Sequence, residues 1–156
     1  MTHAVQPTGR AVWLATLAKA PLEQLEACFA TLGTIPPYEF LRSPEVGLTM
    51  VRGRVEGTGQ PFNLGEMTLT RCVVQMADPA GLTIAGFGYV AGRSSRHAEL
   101  AAVCDALLQH PDWAAVVGDR VLTPLQAAAR ARQAEVAAQG EATRVNFFTL
   151  RRGESA

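Results

Sequence analysis

The chain has 156 residues, with fourteen basic and fourteen acidic side chains, and 48% of its residues are hydrophobic. This length suits one domain with a sizeable core. Balanced charge excludes the basic excess that drives binding to nucleic acid, and no stretch approaches the ~18 apolar residues that a membrane span requires. We expect one domain over residues 1–156 that works in the cytoplasm and binds neither nucleic acid nor a membrane.

The three cysteines and three histidines form no metal-binding pattern. Cys28, Cys72 and Cys104 lie far apart, and His97 has neither a cysteine nor another histidine at the spacing of a metal site. The sequence also lacks a nucleophile elbow and a dinucleotide-binding fingerprint. It therefore predicts no metal ligands, and the catalytic residues, if there are any, remain unknown.

The N-terminal part reads as two helices. Residues 12–19 have helical character, and Pro21 opens a second run in which Leu22, Leu25 and Phe29 recur at helical spacing before Gly33 ends it. Proline disfavours the α conformation in the residue before it, so the break should fall at residues 20–21. This pattern predicts a helical hairpin.

The middle of the chain has β character. Residues 38–42 precede the turn-like residues 43–47, which include a proline and a glycine, and residues 48–56 alternate at a period of two. Residues 66–76 and 82–90 supply two further strands. The pattern predicts a four-stranded, mainly antiparallel sheet and, with the flanking helices, an α+β fold.

The C-terminal part reads as a long helix from Ser94, a short helix near Trp113, and an alanine-rich helix beginning around residues 123–124. The alanine-rich helix could equally pack on its own chain or dock on a partner. From about residue 140 we expect an extended C-terminal arm whose β-like end has bulky apolar side chains on both faces. Its candidate partner-docking residues are Arg144, Val145, Phe147, Phe148 and Leu150.

A basic turn lies between the last strand and the first C-terminal helix. Ser94 or Ser95 is the expected N-cap of this helix, and Arg93, Arg96 and His97 lie beside its N-terminus. Free backbone N–H groups and a partial positive charge at a helix N-terminus suit a phosphate or carboxylate. The alternative is structural, because the arginines could pair with nearby acidic residues and His97 lies at helical spacing from core positions.

Arg71 is a further anion-binding candidate. It falls on a strand face that otherwise carries Met67, Leu69 and Val73. A guanidinium among apolar side chains requires a partner. We therefore predict that Arg71 pairs with an anionic group.

Three blocks of sequence resemble a known family, the G subunit (PhnG) of the carbon-phosphorus lyase core complex. They read TGQPFNLGEMTLTRC, GRSSRHAELAAVCDALL, and ARQAEVAA followed by TRVNFFTLRRG. The patterns Gly-Arg-x-x-x-His-Ala-Glu and Thr-Arg-Val-x-Phe-Phe-Thr are the most specific parts, and the likeness covers nearly the whole chain.

The resemblance implies a role in bacterial use of organic phosphonates. In that family the G subunit associates with H, I and J subunits, and the L subunit joins functionally. The assembly displaces the adenine of ATP with a phosphonate, giving a ribose 1-phosphonate 5-triphosphate. The resemblance assigns the iron-sulfur cluster, S-adenosylmethionine and metal to partner subunits, and no cofactor to this chain.

From the residues and the resemblance together, we expect an accessory and structural subunit of this transferase and lyase assembly that is not catalytic alone. The alternative is an anion-binding subunit that contributes Arg93 and His97 to a composite active site for ATP or phosphonate.

Overall fold

One long helix, Ser95–Gln109, packs against both the sheet and other helices of the fold. The computed structural model describes residues 9–77, 81 and 83–145, and comprises an α+β arrangement of five α-helices and a three-stranded antiparallel sheet within those residues. The elements are α1 Gly9–Lys19, α2 Leu22–Ala30, β1 Tyr38–Arg54, a 3₁₀ turn Val55–Gly57, β2 Pro61–Ala77, β3 Thr83–Ala91, α3 Ser95–Gln109, α4 Ala114–Val117, a π-helical turn Gly118–Leu122 and α5 Thr123–Ala142.

The predicted break between the first two helices is confirmed. Helix α1 ends at Lys19, and α2 begins at Leu22, directly after Pro21, which has an extended backbone (φ −60°, ψ 136°). Leu17 and Leu25 are the fully buried side chains of the two helices. Both helices pack on α3.

The prediction of four strands is wrong, because the first two predicted strands form the single strand β1. Residues 43–47 do not turn the chain. The strand continues through them with register shifts between Phe40 and Arg42 and between Arg42 and Glu45. At each shift β1 has one residue more than the paired part of β2. The sheet order is β1-β2-β3, so β1 is an edge strand, and Pro44 is tolerated in a bulged edge strand.

One face of the sheet forms the core with α3. On β2 the buried residues alternate, with Thr70, Cys72, Val74 and Met76 facing the helix. On β3, Ile84, Gly86, Gly88 and Val90 alternate in the same way. Period-two burial therefore places the odd-numbered residues of these strands on the opposite face.

Helix α3 is buried on nearly every side. From His97 to Leu108 every residue except Glu99 is buried. Two glycines of β3 permit this close packing: a Cβ built on Gly86 would lie 2.1 Å from the Ala102 carbonyl oxygen, and one on Gly88 would lie 2.0 Å from the Ala98 carbonyl oxygen. The backbones of helix and strand are therefore in direct contact.

The C-terminal arm begins later than predicted. Helix α5 runs to Ala142, so residues 140–142 are helical, and the arm can start only at Thr143. Arg144 and Val145 are exposed. The docking candidates Phe147, Phe148 and Leu150 lie outside the described residues.

Candidate functional site

The basic turn before α3 is built by a glycine and a serine. Gly92 has a φ of +97°, which lets the chain leave β3 sharply, and its carbonyl oxygen accepts a hydrogen bond of 2.7 Å from the Thr70 hydroxyl. Ser94 is the N-cap, since its Oγ accepts the His97 backbone N–H at 3.3 Å. The predicted N-cap at this turn is thus confirmed at Ser94, with Ser95 as the first helical residue.

The side chain of His97 points into the core. It is 7% exposed, and its Nε2 lies 2.8 Å from the carbonyl oxygen of Leu17. A carbonyl oxygen only accepts, so Nε2 carries the proton and donates to it. His97 therefore ties α3 to α1 and is not turned toward a ligand in solvent.

The arginines of this turn differ in their surroundings. Arg96 forms ion pairs with Glu99, on its own helix, at 3.2 Å and with Glu26, on α2, at 3.6 Å. Arg93 and Ser95 are exposed, and Arg93 forms no salt bridge with any residue in the described ranges. Among the charged candidates, only Arg93 therefore faces solvent without a carboxylate partner in the described chain.

Arg71 is not brought to this turn, because it lies on the sheet face opposite α3. Its guanidinium pairs with Glu45, which also pairs with Arg42. Hydrogen bonds from Arg42 and then Arg71 lower the pKa of the Glu45 carboxyl. The predicted need for an anionic partner is met by the side chain of Glu45.

A buried carboxylate that the sequence reasoning did not single out joins three elements. Asp105, on α3, is fully buried and accepts hydrogen bonds from Arg10 Nη2 at 2.8 Å and Trp13 Nε1 at 2.8 Å, both on α1. It also accepts from the Phe87 backbone N–H at 2.9 Å, on the free edge of β3. Gln109 donates to the neighbouring Ala85 carbonyl oxygen at 3.0 Å, so side chains cover the strand edge.

The signal that could have indicated this cluster was present in the sequence. Asp105 lies in the middle of an apolar helical run, where an aspartate is almost never buried without partners. The Asp105 side chain has a complete set of donors and no route to solvent. The arrangement is therefore that of a structural carboxylate, which fixes α1 and β3 on α3.

Three further side chains show how strongly the core acts on ionisable groups. Burial, with a hydrogen bond of 2.6 Å to Glu99, raises the pKa of Tyr38 to about 12. Burial likewise raises the pKa of Cys72 to about 11 and that of Cys104 to about 12. These thiols are protonated at neutral pH and therefore lack the thiolate needed for nucleophilic chemistry.

A group of exposed apolar residues lies on a two-stranded ribbon, residues 48–68. Strand β3 pairs only with residues 69–77 of β2, so residues 61–68 pair with β1 alone. At about 3.4 Å per residue the ribbon projects roughly 24 Å beyond the three-stranded part. Its exposed large apolar residues are Leu48, Met50, Val55, Phe62, Leu64 and Met67, of which Leu48 and Leu64 are each 67% exposed.

The second half of α5 also lies apart from the rest of the described chain. Leu125 is the buried residue of this helix, and residues 129–142 are all exposed, including Val136 at 67%. Contacts of α5 with α1 and α2 are few. The alanine-rich helix was expected either to pack on its own chain or to dock on a partner. Only its first part packs on the described chain.

The described residues were also compared with the requirements of a metal site and of a membrane span. Over residues 9–77, 81 and 83–145, no group of three or more His, Cys, Asp or Glu side chains could hold a metal ion. No helix within those ranges is both long and apolar enough to cross a bilayer.

The chain is thus an α+β protein whose buried polar residues support its structure and whose apolar surface lies on a projecting ribbon. The family model described as "Phosphonate metabolism protein PhnG" matches residues 8–153. A relative from Rhizobium meliloti, described as alpha-D-ribose 1-methylphosphonate 5-triphosphate synthase subunit PhnG, is 38% identical over 141 residues, covering 88% of this chain and 85% of the relative. The chain belongs to the PhnG family of phosphonate metabolism proteins.

Proposed function

We propose that this chain is an accessory, structural subunit of the carbon-phosphorus lyase core complex. In this role it supports the ATP-dependent formation of a ribose 1-phosphonate 5-triphosphate and docks on H, I and J subunits in the cytoplasm. Family membership and the name of the Rhizobium meliloti relative, which is a synthase subunit, support the phosphonate pathway. The observation that carries the docking role is the ribbon of residues 48–68.

The ribbon has the properties of a surface that is covered in an assembly. Leu48 and Met50 pair across the strands with Thr68 and Glu66, while Met67 pairs with Thr49 on the other face, so apolar side chains project from both faces. A two-stranded ribbon is marginally stable in water by itself. Exposed apolar residues grouped in this way mark interaction surfaces.

The ribbon makes the docking role testable. Threonine keeps β propensity while removing apolar surface, so Leu48→Thr with Leu64→Thr should leave the fold intact and weaken docking. If each leucine is buried by a partner, its loss costs about 1.5–3 kcal/mol, so the pair weakens association at least about a hundredfold.

The measurement is size-exclusion chromatography of the chain co-expressed with the H, I and J subunits. A matched control is Glu66→Gln, which changes a polar side chain of the same ribbon and should co-elute with the partners. Circular dichroism of each purified variant checks the fold. Co-elution of the double threonine variant at wild-type yield would contradict docking through the ribbon.

The alanine-rich helix and the C-terminal arm give a second test of the same role. A chain that ends at Ala142 lacks the predicted docking residues but keeps α5. We expect it to assemble poorly with its partners, and normal assembly would exclude docking through the arm.

An anion-binding role in a composite active site is weakened for His97 and stays a prediction for Arg93. Arg93 is exposed beside the N-terminus of the 15-residue helix α3, while the His97 ring is bonded to Leu17. In the assembled complex, Arg93→Ala should raise the KM for ATP or phosphonate, and Arg93→Lys should largely restore it. Unchanged kinetics in the alanine variant would rule out this role for Arg93.

A further inference from the structure

A groove runs between α1 and the first half of α5. It has a volume of about 500 Å³, and small or apolar side chains form its floor. Helix α1 contributes Ala11, Val12 and Ala15, and α5 contributes Leu125 and Ala129. Val12 is 42% exposed although its neighbours on the other side of α1 are packed on α3. The groove is therefore an apolar surface that the described chain leaves open.

The rim of this groove is basic. Lys19, Arg130 and Arg132 line it, and no acidic side chain does. Arg132 donates to Gln24 at 3.1 Å, an uncharged partner, and among the described residues neither Lys19 nor Arg130 forms a salt bridge. Three positive charges beside an apolar floor favour an occupant that is apolar in the middle and acidic along its flanks.

We propose that this groove seats an acidic amphipathic helix from another subunit of the assembly. The proposal rests on the proposed function, since it requires a partner chain, and it concerns a surface separate from the ribbon. Alanines on both walls let a third helix approach to an interaxial distance of about 8 Å. The wall from Ala11 to Lys19 is about 12 Å long, which accommodates about two turns of the occupant.

Charge does not favour the C-terminal segment of this chain, or helix α5 of a second copy, as the occupant. The C-terminal segment contains Arg144, Arg151 and Arg152 against one acidic residue, Glu154, so it would add positive charge to a basic rim. Helix α5 of a second copy carries Arg130 and Arg132 against Glu135 and Glu141, so it brings no excess of negative charge to the same rim. An acidic helix from a different chain has the complementary charge.

The test uses the full chain assembled with its H, I and J partners. A photoreactive p-benzoylphenylalanine replaces Ala15 in the groove, and in a matched control it replaces Ala27, an exposed position on α2 outside the groove. Mass spectrometry identifies the cross-linked peptide. We expect an acidic, helix-forming segment of another subunit from position 15 and not from position 27. A cross-link from position 15 to this chain's own termini, to a second copy, or to nothing would overturn the proposal.

Charge reversal supplies an independent readout. Lys19→Glu with Arg130→Glu should weaken association roughly tenfold at low salt, and the difference should shrink as salt is raised, because exposed ion pairs are screened. The charge-preserving pair Lys19→Arg with Arg130→Lys should bind as the wild type does. Equal affinity of the reversed and the wild-type chain would count against an acidic occupant.

The two proposals fail in distinguishable ways. If the ribbon variants dissociate and the groove variants do not, the chain docks through its ribbon and the groove proposal is wrong. If neither set changes assembly, docking through the ribbon and docking through the groove are both wrong, and the chain ending at Ala142 then decides whether the arm docks.

Discussion

Replacing Asp105 with asparagine tests whether the buried carboxylate holds the fold together. In the native protein its Oδ1 accepts from Arg10 Nε and Trp13 Nε1, while its Oδ2 accepts from Arg10 Nη2, the Phe87 N–H and Gln109 Nε2. In either orientation the amide turns an NH₂ group toward at least two of these donors. Each donor that loses its acceptor costs about 1–3 kcal/mol, and Arg10 loses its counterion.

The expected loss is about 2–4 kcal/mol, because at least two donors lose their acceptor while the Arg10 side chain is 39% exposed and keeps part of its hydration. For a chain of this size, that lowers the melting temperature by roughly 4–16 °C. Thermal and urea unfolding of the purified chain, followed by circular dichroism, measure it. The control Asp119→Asn changes an exposed aspartate and should stay within about 0.5 kcal/mol. Equal stabilities of the two variants would refute the structural role of the cluster.

The remaining predictions concern close packing, ionisation and the buried histidine. Gly88→Ala should destabilise the protein by about 1–3 kcal/mol in urea unfolding, because its Cβ would overlap the α3 backbone, whereas Gly47→Ala, with nothing within 4 Å, should be nearly neutral. Burial raises the pKa of Tyr38 to about 12, so one tyrosine should titrate near that pH in absorbance at 295 nm, and Tyr38→Phe should remove this transition. The contribution of Tyr38 to the free energy of unfolding is complete below about pH 10, the unfolded pKa, and is lost as the pH rises to about 12. At pH 8, iodoacetamide should modify only Cys28 of the three cysteines in the folded chain and all three in urea; early labelling of the other two would show that they are accessible. His97→Ala should lower the melting temperature and leave the KM for ATP of the assembled complex unchanged, because the ring bonds to Leu17. A raised KM without a lower melting temperature would show that His97 binds the anion.

Local patterns determined which features the sequence could predict. The break before Pro21, the cap at Ser94 and the helical character of residues 95–109 depend on neighbouring residues, so they were predicted correctly. The resemblance, which is confirmed by the family match, likewise depends on contiguous motifs. The helices and the α+β class could therefore be predicted from local signals.

Contacts between distant parts of the chain account for most of what the sequence did not reveal. A turn at residues 43–47 is a reasonable expectation for Pro44 and Gly47, but pairing with β2 extends this segment into one bulged strand. Asp105 meets Arg10 across 95 residues of sequence, and no local pattern indicates that pairing. Helical spacing placed His97 with the core positions as one of two alternatives, but its bond to Leu17, 80 residues away, could not be predicted from that spacing.

The partnership of Arg10 with Asp105 has a consequence for synthesis of the chain. Helix α1 emerges from the ribosome first, yet its carboxylate partner is made 95 residues later. At roughly 5–20 residues per second, about 5–19 s pass between the synthesis of Arg10 and that of Asp105. During that time β1 and β2, with their apolar ribbon, are made but cannot yet pack on α3. Nascent chains are therefore most prone to aggregation before α3 is complete, and co-translational encounter with a partner would shorten that interval.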